Sequence, residues 1–302
     1  MAPPDLDVTI VDDTLPDQEK IPLCKDADAL LVASLNVSLE LIQSCPNLKI
    51  IQLVSAGYDH IDLKATGEMG IPVANNGGAN AIAVAEHTLG LMLSLTKKIN
   101  RQWHNTSIER RWRDGLNVLD FGEITYKTVG IVGLGRIGKQ VAKRLTGFET
   151  RTLYNDIVEI PLEIQRELKA TPVSLKELLR ESDFVTLHVP LTSETRKMIG
   201  NEELETMKRT AYLINTSRGP VVDQTAVYQA LVGKRIAGAG LDALEPEPIS
   251  SDDPLLDMDS VIVTPHLGGL TVEAFARQAE LGYANIKRAL AGEPLESVVT
   301  PD

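Results

Sequence analysis

The stretch Thr128–Gly138, TVGIVGLGRIG, decides the fold of this 302-residue chain. Its first five residues are mostly apolar or β-branched, as in a buried parallel strand, and they lead into the glycine pattern GxGxxG. Ile137, Val141, Ala142 and Leu145 then recur at helical spacing, so a helix follows the glycines directly. A strand, a glycine turn and a helix in this order predict a dinucleotide-binding βαβ unit.

Each glycine of this loop has a separate predicted role. Gly133 permits the tight turn, Gly135 lets the backbone approach a pyrophosphate, and Gly138 lets the helix pack on the strand. Free N–H groups at the start of the helix face the phosphates. Asp156 ends the next strand-like run, Arg151–Asn155, where a carboxylate accepts hydrogen bonds from the ribose hydroxyls. No basic residue follows immediately, so a 2′-phosphate would be repelled and NAD is predicted over NADP.

The composition is that of a globular chain without a membrane-spanning stretch. Hydrophobic residues make up 43% and charged residues 24%, and no apolar run approaches the roughly 20 residues that cross a bilayer. The first residues lack a signal-like region, so a cytoplasmic location is expected. Cys24 and Cys45 form neither a CxxC motif nor a Cys/His cluster, so no metal site is expected. The formal net charge of −12 disfavours binding to nucleic acid or anionic membranes.

Two lobes are expected from the length of the chain. The strands and the helix predicted for a small first α/β lobe are Val8–Val11, Leu30–Val32, Ile50–Leu53, Val73–Ala74 and the helix Ser38–Ser44. Two prolines between Val11 and Leu30 argue against a full helix in that segment. A long amphipathic helix, from Ala81 to about Asn100, is predicted to bridge the lobes.

Strand-like runs separated by helical stretches predict a doubly wound parallel sheet in the second lobe. The runs are Thr128–Val132, Arg151–Asn155, Phe184–Val189, Ala211–Asn215, Ala237–Ala243 and Val261–Thr264. A last predicted helix, Val272–Leu290, returns to the first lobe. The predicted division is therefore a substrate domain of residues 1–100 with 271–302 and a cofactor domain of residues 101–270, with a cleft between them.

Polar side chains with complementary chemistry follow three successive strands of the second lobe. Arg218, Glu247 and His266 come after these runs, and ligands of open α/β sheets bind at the carboxyl ends of strands. Reduction of a 2-oxo acid needs a cation for the carboxylate, a proton donor for the developing alkoxide and a neighbour that keeps the donor protonated. Arginine offers a planar fork to a carboxylate, and an imidazole has an ordinary pKa of about 6.5 that a nearby carboxylate raises. Each residue alone is better explained by a surface ion pair, a solvated turn or a packed side chain, but the combination predicts a hydride-transfer enzyme.

The chain resembles the D-isomer-specific 2-hydroxyacid dehydrogenase family over nearly its full length. The strings that carry the resemblance are Gly133–Gly138 with Asp156, His188–Thr192, Asn215–Gly219, Gly240–Asp242, Pro246–Pro248 and Pro265–Gly269. The resemblance implies a Rossmann cofactor domain and a smaller flavodoxin-like α/β substrate domain. It also implies a homodimer joined through the cofactor domain around Trp103–Thr128.

The resemblance implies roles for individual residues. Arg218, Glu247 and His266 would form a catalytic triad. Backbone N–H groups of Ala56, Gly57 and Tyr58 would bind the substrate carboxylate together with Arg218. The residues implied in NAD binding are Val84, Gly133, Gly135, Arg136, Ile137, Gly138, Asp156, His188, Val189, Pro190, Thr195, Thr216, Ser217, Asp242, His266, Gly268 and Gly269. Among them Asp242 would lie near the nicotinamide amide, and Asn80 and Val84 near the cleft.

The leading hypothesis is NAD-dependent reduction of small 2-oxo acids, such as glyoxylate, hydroxypyruvate or pyruvate, to D-2-hydroxy acids. The bulky Tyr58 in the carboxylate loop hints at a small substrate. The alternative within the family is 3-phosphoglycerate dehydrogenase, whose members often carry further regulatory domains, and phosphite or formate oxidation occurs on similar scaffolds. A non-enzymatic alternative is an NAD-sensing corepressor-like protein, which the intact triad and the short tail disfavour. The segment between Val11 and Leu30 is shorter than is usual in the family, which alters the surface of the small lobe there.

Overall fold

The computed structural model describes residues 3–33, 37–113 and 117–300. The chain divides into a first compact unit, Met1–Asn80 with Leu270–Asp302, and a second, Ala81–Gly269. The α-helices and strands, in chain order, are α1 Asp17–Cys24, β1 Ala29–Val32, α2 Leu39–Gln43, β2 Ile50–Leu53, α3 Leu63–Glu68, β3 Val73–Ala74, α4 Ala81–Lys97, α5 Ile99–Trp103, β4 Thr128–Val132, α6 Arg136–Leu145, β5 Arg151–Asn155, α7 Leu162–Leu168, β6 Ala170–Pro172, α8 Leu175–Glu181, β7 Phe184–Leu187, α9 Asn201–Thr206, β8 Tyr212–Asn215, α10 Gln224–Val232, β9 Gly238–Leu241, β10 Val261–Val263, α11 Val272–Ala291 and β11 Val298–Val299.

The second unit is built on a seven-stranded parallel sheet in the order β10-β9-β8-β7-β4-β5-β6. The chain order runs outward in both directions from the neighbours β4 and β7, which makes this pair the switch point of a doubly wound sheet. Every residue of β7, β8 and β9 except Tyr212 is buried, as expected for strands covered on both faces. The predicted α/β class with a Rossmann sheet is confirmed.

The strand predictions for this sheet differ from the structure mainly at the sheet edge. The bounds of β4 and β5 are as predicted, and the other predicted runs are one to three residues too long. Strand β6 was not predicted, because it has only three residues, includes Pro172 and buries only Ala170. Its strand conformation depends on pairing with β5, which the local pattern does not reveal.

Helix α4 belongs to the second unit, so the predicted domain boundary at residue 101 moves to Ala81. The reason lies in packing, because α4 contributes Leu89, Met92 and other buried side chains to the core beneath β4 and α6. A Cβ added to Gly240 of β9 would lie 3.1 Å from the Cβ of Leu91, so the missing side chain there allows the close approach of the helix. The predicted helix is also interrupted after Lys97, since Lys98 has a left-handed backbone with φ of 51°.

The first unit has a four-stranded sheet in the order β1-β2-β3-β11, in which β11 is antiparallel to β3. Helix α11 returns to this unit, as expected, and its buried Asn285 donates to Gln52 Oε1 of β2 at 2.8 Å. Asn285 also accepts a hydrogen bond from the backbone N–H of Glu296 at 2.9 Å, just before the two-residue strand β11. These bonds hold the last described residues against the sheet.

Two predictions for the first unit are wrong. Val8–Val11 is not a strand: Val8 and Ile10 are exposed, at 43% and 92%, and only Val11 packs against the core of this unit. Conversely, the eight-residue helix α1 forms between Val11 and Leu30 despite its prolines. Pro16 stands at the N-cap, where a proline is tolerated, and Cys24 is buried in the same core as Cys45. Packing therefore outweighs the hydrogen bond lost at Pro22.

Candidate active site

The glycine loop joins β4 to α6, and each of its glycines has a distinct environment. Gly133 has φ of +90°, and a Cβ there would lie 2.7 Å from the carbonyl oxygen of His188. A Cβ on Gly138 would overlap the carbonyl oxygen of Gly133, so helix and strand approach as closely as the backbone allows. By contrast, a Cβ on Gly135 would have no atom within 4 Å. The open space at Gly135, next to the helix start at Arg136, suits the approach of a phosphate group.

Asp156 follows β5 and is tied to the glycine loop. Its Oδ2 accepts a hydrogen bond from the backbone N–H of Leu134 at 2.6 Å, and its Oδ1 accepts one from Val158 at 2.9 Å. A carboxylate has about four acceptor positions, so both oxygens can also accept from ribose hydroxyls. The adjacent Ile157 is fully exposed and apolar. The edge therefore offers carboxylate acceptors of the kind that bind hydroxyl groups.

Arg218, Glu247 and His266 are brought together at the carboxyl ends of the neighbouring strands β8, β9 and β10. His266 Nδ1 lies 2.8 Å from Glu247 Oε2, and His266 Nε2 lies 3.5 Å from Arg218 Nη1. Since a carboxylate only accepts, the Nδ1 atom is the donor and Nε2 is the nitrogen that can exchange a proton. Both His266 and Glu247 keep more than a third of their side chain exposed. A cation and an imidazole thus stand side by side, with the imidazole oriented by a carboxylate.

Local hydrogen bonds hold each member of this group in place. The Nδ2 atom of the fully buried Asn215 donates to the carbonyl oxygen of Arg218 at 2.8 Å, which fixes the backbone after β8. Glu247 Oε1 accepts from the backbone N–H of Leu244 at 2.9 Å. His266 has a left-handed φ of 55°, a conformation that costs a non-glycine residue about 1–2 kcal/mol. The surrounding turn holds His266 in this conformation, since the backbone N–H of His266 donates to the carbonyl oxygen of Thr264 at 3.0 Å.

Asp242 is a buried carboxylate at the end of β9, beside the turn of His266. Its oxygens accept hydrogen bonds from Thr264 Oγ1 at 2.6 Å and from the backbone N–H groups of Leu267 at 3.1 Å and Gly268 at 2.9 Å. Burial alone would raise the pKa of Asp242, but hydrogen bonds from His87, Thr264 and Gly268 outweigh it and the pKa falls. Asp242 is therefore a charged group within a dense set of donors.

The segment after β7 carries several predicted cofactor residues. The Nδ1 atom of His188 is buried, and burial lowers the pKa of His188 to about 3, so the ring is neutral near pH 7. Its Nε2 lies 3.1 Å from Thr186 Oγ1. Thr195 Oγ1 donates to the carbonyl oxygen of Pro190 at 2.6 Å and closes the loop. Val189 packs against the core of the second unit, close to the backbone of the glycine loop.

Thr216 and Ser217 follow β8 and are buried, as are Val84 and Thr88 of helix α4. Thr88 Oγ1 donates to the carbonyl oxygen of Val84 at 2.8 Å and lies 3.0 Å from Thr216 Oγ1, so Thr216 is the donor to Thr88. Ser217 Oγ donates to Asn215 Oδ1 at 2.7 Å. These hydroxyls connect α4 with the strand end that leads to Arg218.

The predicted substrate loop, Ala56, Gly57 and Tyr58, follows β2 in the first unit. Asn75 Nδ2 donates to the carbonyl oxygen of Ala56 at 2.9 Å, and Ser55 Oγ donates to that of Gly57 at 2.6 Å. Tyr58 packs against the core of this unit. The loop carbonyls are thus held by side chains, and the assignment of the loop to substrate binding stays a prediction.

Sequence reasoning missed two residues of the second unit that contact the predicted site. His87 of α4 lies 2.9 Å from Thr264 Oγ1 and 3.3 Å from Asp242 Oδ1, and Thr264 itself donates to Asp242. A histidine within the apolar helix Ala81–Lys97 was the available signal for His87. Thr264 had none, because its role depends on where β9 and β10 end side by side.

The part of the chain that the structure describes contains no helix long and apolar enough to span a bilayer. Across these same residues, no cluster of His, Cys, Asp and Glu is arranged to hold a metal ion.

Comparison with known proteins gives consistent matches. Residues 89–268 match the family described as D-isomer specific 2-hydroxyacid dehydrogenase, NAD binding domain. A glyoxylate reductase of Thermofilum pendens is 40% identical over 295 residues, covering 94% of this chain and 85% of that protein. A D-3-phosphoglycerate dehydrogenase of Methanocaldococcus jannaschii is 40% identical over 284 residues, covering 93% of this chain but 53% of that protein.

Among solved structures, the chain is similar to D-lactate dehydrogenase from Aquifex aeolicus, which was determined in complex with NAD and lactic acid. The TM-score is 0.80 at 33% sequence identity, and the match covers 93% of this chain and 86% of that one. The likeness thus extends over both units and includes a structure that holds a nicotinamide cofactor.

Proposed function

Because the chain belongs to the D-isomer-specific 2-hydroxyacid dehydrogenase family, whose members act on the CH–OH group of 2-hydroxy acids, we propose a specific reaction for it. It reduces small 2-oxo acids, such as glyoxylate, hydroxypyruvate and pyruvate, to D-2-hydroxy acids with NADH. The observation that carries this proposal is the contact of His266 with both Glu247, at 2.8 Å, and Arg218, at 3.5 Å. The Arg218 guanidinium suits the substrate carboxylate, and the His266 imidazole suits the adjacent carbonyl oxygen.

The cofactor is held, in this proposal, by the loop Gly133–Gly138 and by Asp156, with Asp242 near its nicotinamide end. Reduced nicotinamide, when bound, supplies a hydride. The open space beside Gly135 and the two acceptor oxygens of Asp156 support this assignment. His188, Val189, Pro190, Thr195, Thr216 and Ser217 remain proposed cofactor contacts, and so do Val84, Arg136, Ile137, Gly268 and Gly269.

The acid–base step is assigned to His266. Its Nε2 atom gives a proton to the oxygen of the substrate carbonyl as negative charge develops there. Glu247 accepts from Nδ1, which fixes the ring orientation and stabilises the protonated ring. The Arg218 guanidinium binds the substrate carboxylate through its planar fork and polarises the neighbouring carbonyl. In the reverse direction the same Nε2 atom takes the proton from the hydroxy acid.

The test follows oxidation of NADH and of NADPH, separately, with glyoxylate, hydroxypyruvate, pyruvate and longer 2-oxo acids at neutral pH. We expect NADH consumption with at least one of the small acids, and a D-configured product wherever the product is chiral. The rank order of kcat/KM then identifies the preferred substrate. Failure with every acid and either cofactor would contradict the proposed reaction.

The preference for NADH over NADPH rests on Asp156. Removing this carboxylate in Asp156→Ala should lower kcat/KM for NADH about 10- to 100-fold, because hydrogen bonds to a charged acceptor contribute about 1.5–3 kcal/mol each. The efficiency with NADPH should rise, since repulsion of the 2′-phosphate is lost. Glu159→Ala, which removes an exposed acid three residues later, is the matched control and should leave the NADH to NADPH ratio unchanged. A wild-type enzyme that already prefers NADPH would contradict the assignment.

The alternative function is oxidation of 3-phosphoglycerate, which the relative from Methanocaldococcus jannaschii motivates. The same NAD-linked assay with 3-phosphoglycerate decides between the two substrates. A corepressor-like binding protein is disfavoured by the intact group of Arg218, Glu247 and His266. That interpretation would prevail if turnover were absent while NADH drove association of the chain.

A homodimer is part of the proposal. The segment around Trp103–Thr128, outside residues 114–116, exposes large apolar side chains. They include Trp103 at 60%, Trp112 at 76% and Leu119 at 88% exposure. Exposed apolar groups in this number within one short segment support burial in a subunit contact. A molar mass measured in solution distinguishes the dimer from a monomer.

A further inference from the structure

His87 connects helix α4 with the ends of β9 and β10, and no role assigned above requires it. Its Nε2 lies 2.9 Å from Thr264 Oγ1 and 3.3 Å from Asp242 Oδ1. A Cβ added to Gly268 would lie 3.0 Å from Cδ2 of the His87 ring, so the ring also packs directly against the loop after β10. The side chain is 27% exposed, which places it at the margin of the core.

The direction of these hydrogen bonds follows from the donors available. Thr264 has one hydroxyl hydrogen, and it donates to the carboxylate of Asp242 at 2.6 Å, because an ionised carboxylate only accepts. The hydroxyl oxygen must then accept from His87, so the Nε2 atom of His87 carries a hydrogen. The hydrogen bonds therefore run from His87 to Thr264 and from Thr264 to Asp242, and the same Nε2–H of His87 also faces Asp242 Oδ1 directly at 3.3 Å.

These hydrogen bonds fix the backbone both before and after His266. Thr264 lies two residues before His266 and binds Asp242, while the N–H groups of Leu267 and Gly268, just after it, donate to the same carboxylate at 3.1 and 2.9 Å. The left-handed backbone of His266, with φ of 55°, is thus clamped between two anchor points on one side chain. His87 is the group that fixes the hydroxyl of Thr264 in this clamp.

We propose that His87 is a positioning residue, which through Thr264 and Asp242 holds the His266 turn in the geometry needed for proton transfer. The proposal of a catalytic effect rests on the proposed function, whereas the clamp itself does not. His87 touches neither substrate nor the reacting atoms in this assignment. Its hydrogen at Nε2, and not merely its bulk, is what the proposal requires.

Hydrogen exchange of the backbone amides tests the clamp without turnover. His87→Leu should speed exchange of the Leu267 and Gly268 amides about 10-fold, because the loop opens more readily when one anchor is lost. His87→Gln supplies an N–H donor near the position of Nε2 and should keep exchange within about 3-fold of wild type. Unchanged exchange in His87→Leu would overturn the proposal. Equal acceleration in both variants would overturn it as well, since packing alone would then explain the contact.

Turnover gives the second readout. His87→Leu should lower kcat about 10- to 100-fold while KM for the 2-oxo acid changes less than about 3-fold, since small misplacement of a catalytic group acts mainly on the chemical step. His87→Gln should recover most of kcat. Thr264→Val should resemble His87→Leu, and the double variant should lose no more than either single one, because both remove the same connection. Additive losses of kcat would contradict the proposal that His87 acts through Thr264.

Glu86→Gln is the matched control on the same helix, since Glu86 is exposed and pairs with Arg144 at 2.9 Å. It should change neither exchange nor kcat. If the exchange results are as expected but the wild type reduces no 2-oxo acid, the clamp stands and the proposed function fails. If the wild type is active and exchange is unaffected by His87→Leu, the proposed function stands and the clamp fails.

Discussion

The His266→Ala variant is expected to lose about 10²- to 10⁴-fold in kcat for reduction of the preferred 2-oxo acid, the range that a positioned general acid contributes. The imidazole is the proposed proton donor, and its Nε2 atom is the nitrogen not committed to Glu247. Alanine leaves the alkoxide to be protonated by water. NADH affinity, measured by fluorescence titration, should change less than about 3-fold, because the contacts proposed for the phosphates and the ribose, at Gly133–Gly138 and Asp156, are made by other residues.

The control is Arg235→Ala, which removes another exposed basic side chain that faces a carboxylate, that of Glu205. It should keep full turnover. Thermal unfolding of both variants verifies that the fold is intact, and added imidazole should restore part of the activity of His266→Ala alone. Retention of more than a tenth of wild-type kcat by His266→Ala would remove the histidine from the mechanism.

Arg218→Met is expected to lower kcat/KM for 2-oxo acids about 10²- to 10³-fold, in line with the 2–5 kcal/mol that follows loss of one partner of a hydrogen-bonded charge pair. Both parameters should change. KM rises because the carboxylate loses its fork, and kcat falls because the carbonyl is no longer polarised. Arg218→Lys should recover only part of the loss, since a single ammonium cannot make the paired contact.

A substrate analogue sharpens this test. With the carboxylate replaced by a neutral amide, the wild type should be slow, and Arg218→Met should lose little further efficiency. Arg180→Met, which removes an exposed arginine with 65% side-chain exposure, is the matched control and should behave as wild type with both compounds. An equal loss with acid and amide would show that Arg218 does not bind the carboxylate.

The elements that were predicted correctly are those with a strong local pattern. Strand β4 and the glycine turn are apolar and sterically specified within a few residues, so the Rossmann sheet followed from them. Strands β6 and β11 have three and two residues, and only pairing with a neighbour makes them strands. Val8–Val11 has a strand-like composition, but its Val8 and Ile10 are exposed, and helix α1 forms through burial that its prolines conceal.

The residues of the candidate site also differ in whether the local sequence or only the tertiary structure reveals them. Residue type and position after strands were enough to predict that Arg218, Glu247 and His266 converge, because the ends of parallel neighbouring strands lie together. His87 and Thr264 depend instead on the contact of α4 with the ends of β9 and β10, which is a tertiary arrangement. Hydrogen-bond networks between distant segments are therefore the part of a site that single-sequence reasoning recovers least.

The first unit is completed by the returning helix α11 and by strand β11, which pairs with β3. During synthesis on the ribosome, the second unit, Ala81–Gly269, is available in full before Leu270 emerges. The first unit must wait, with Gln52 and the edge of β3 lacking their partners until Asn285 and Val298 leave the exit tunnel. Domains fold as units as they are made, so the second unit is expected to fold before the first unit is complete. Until then, the incomplete first unit is the part of the nascent chain most exposed to chaperones and to misassembly.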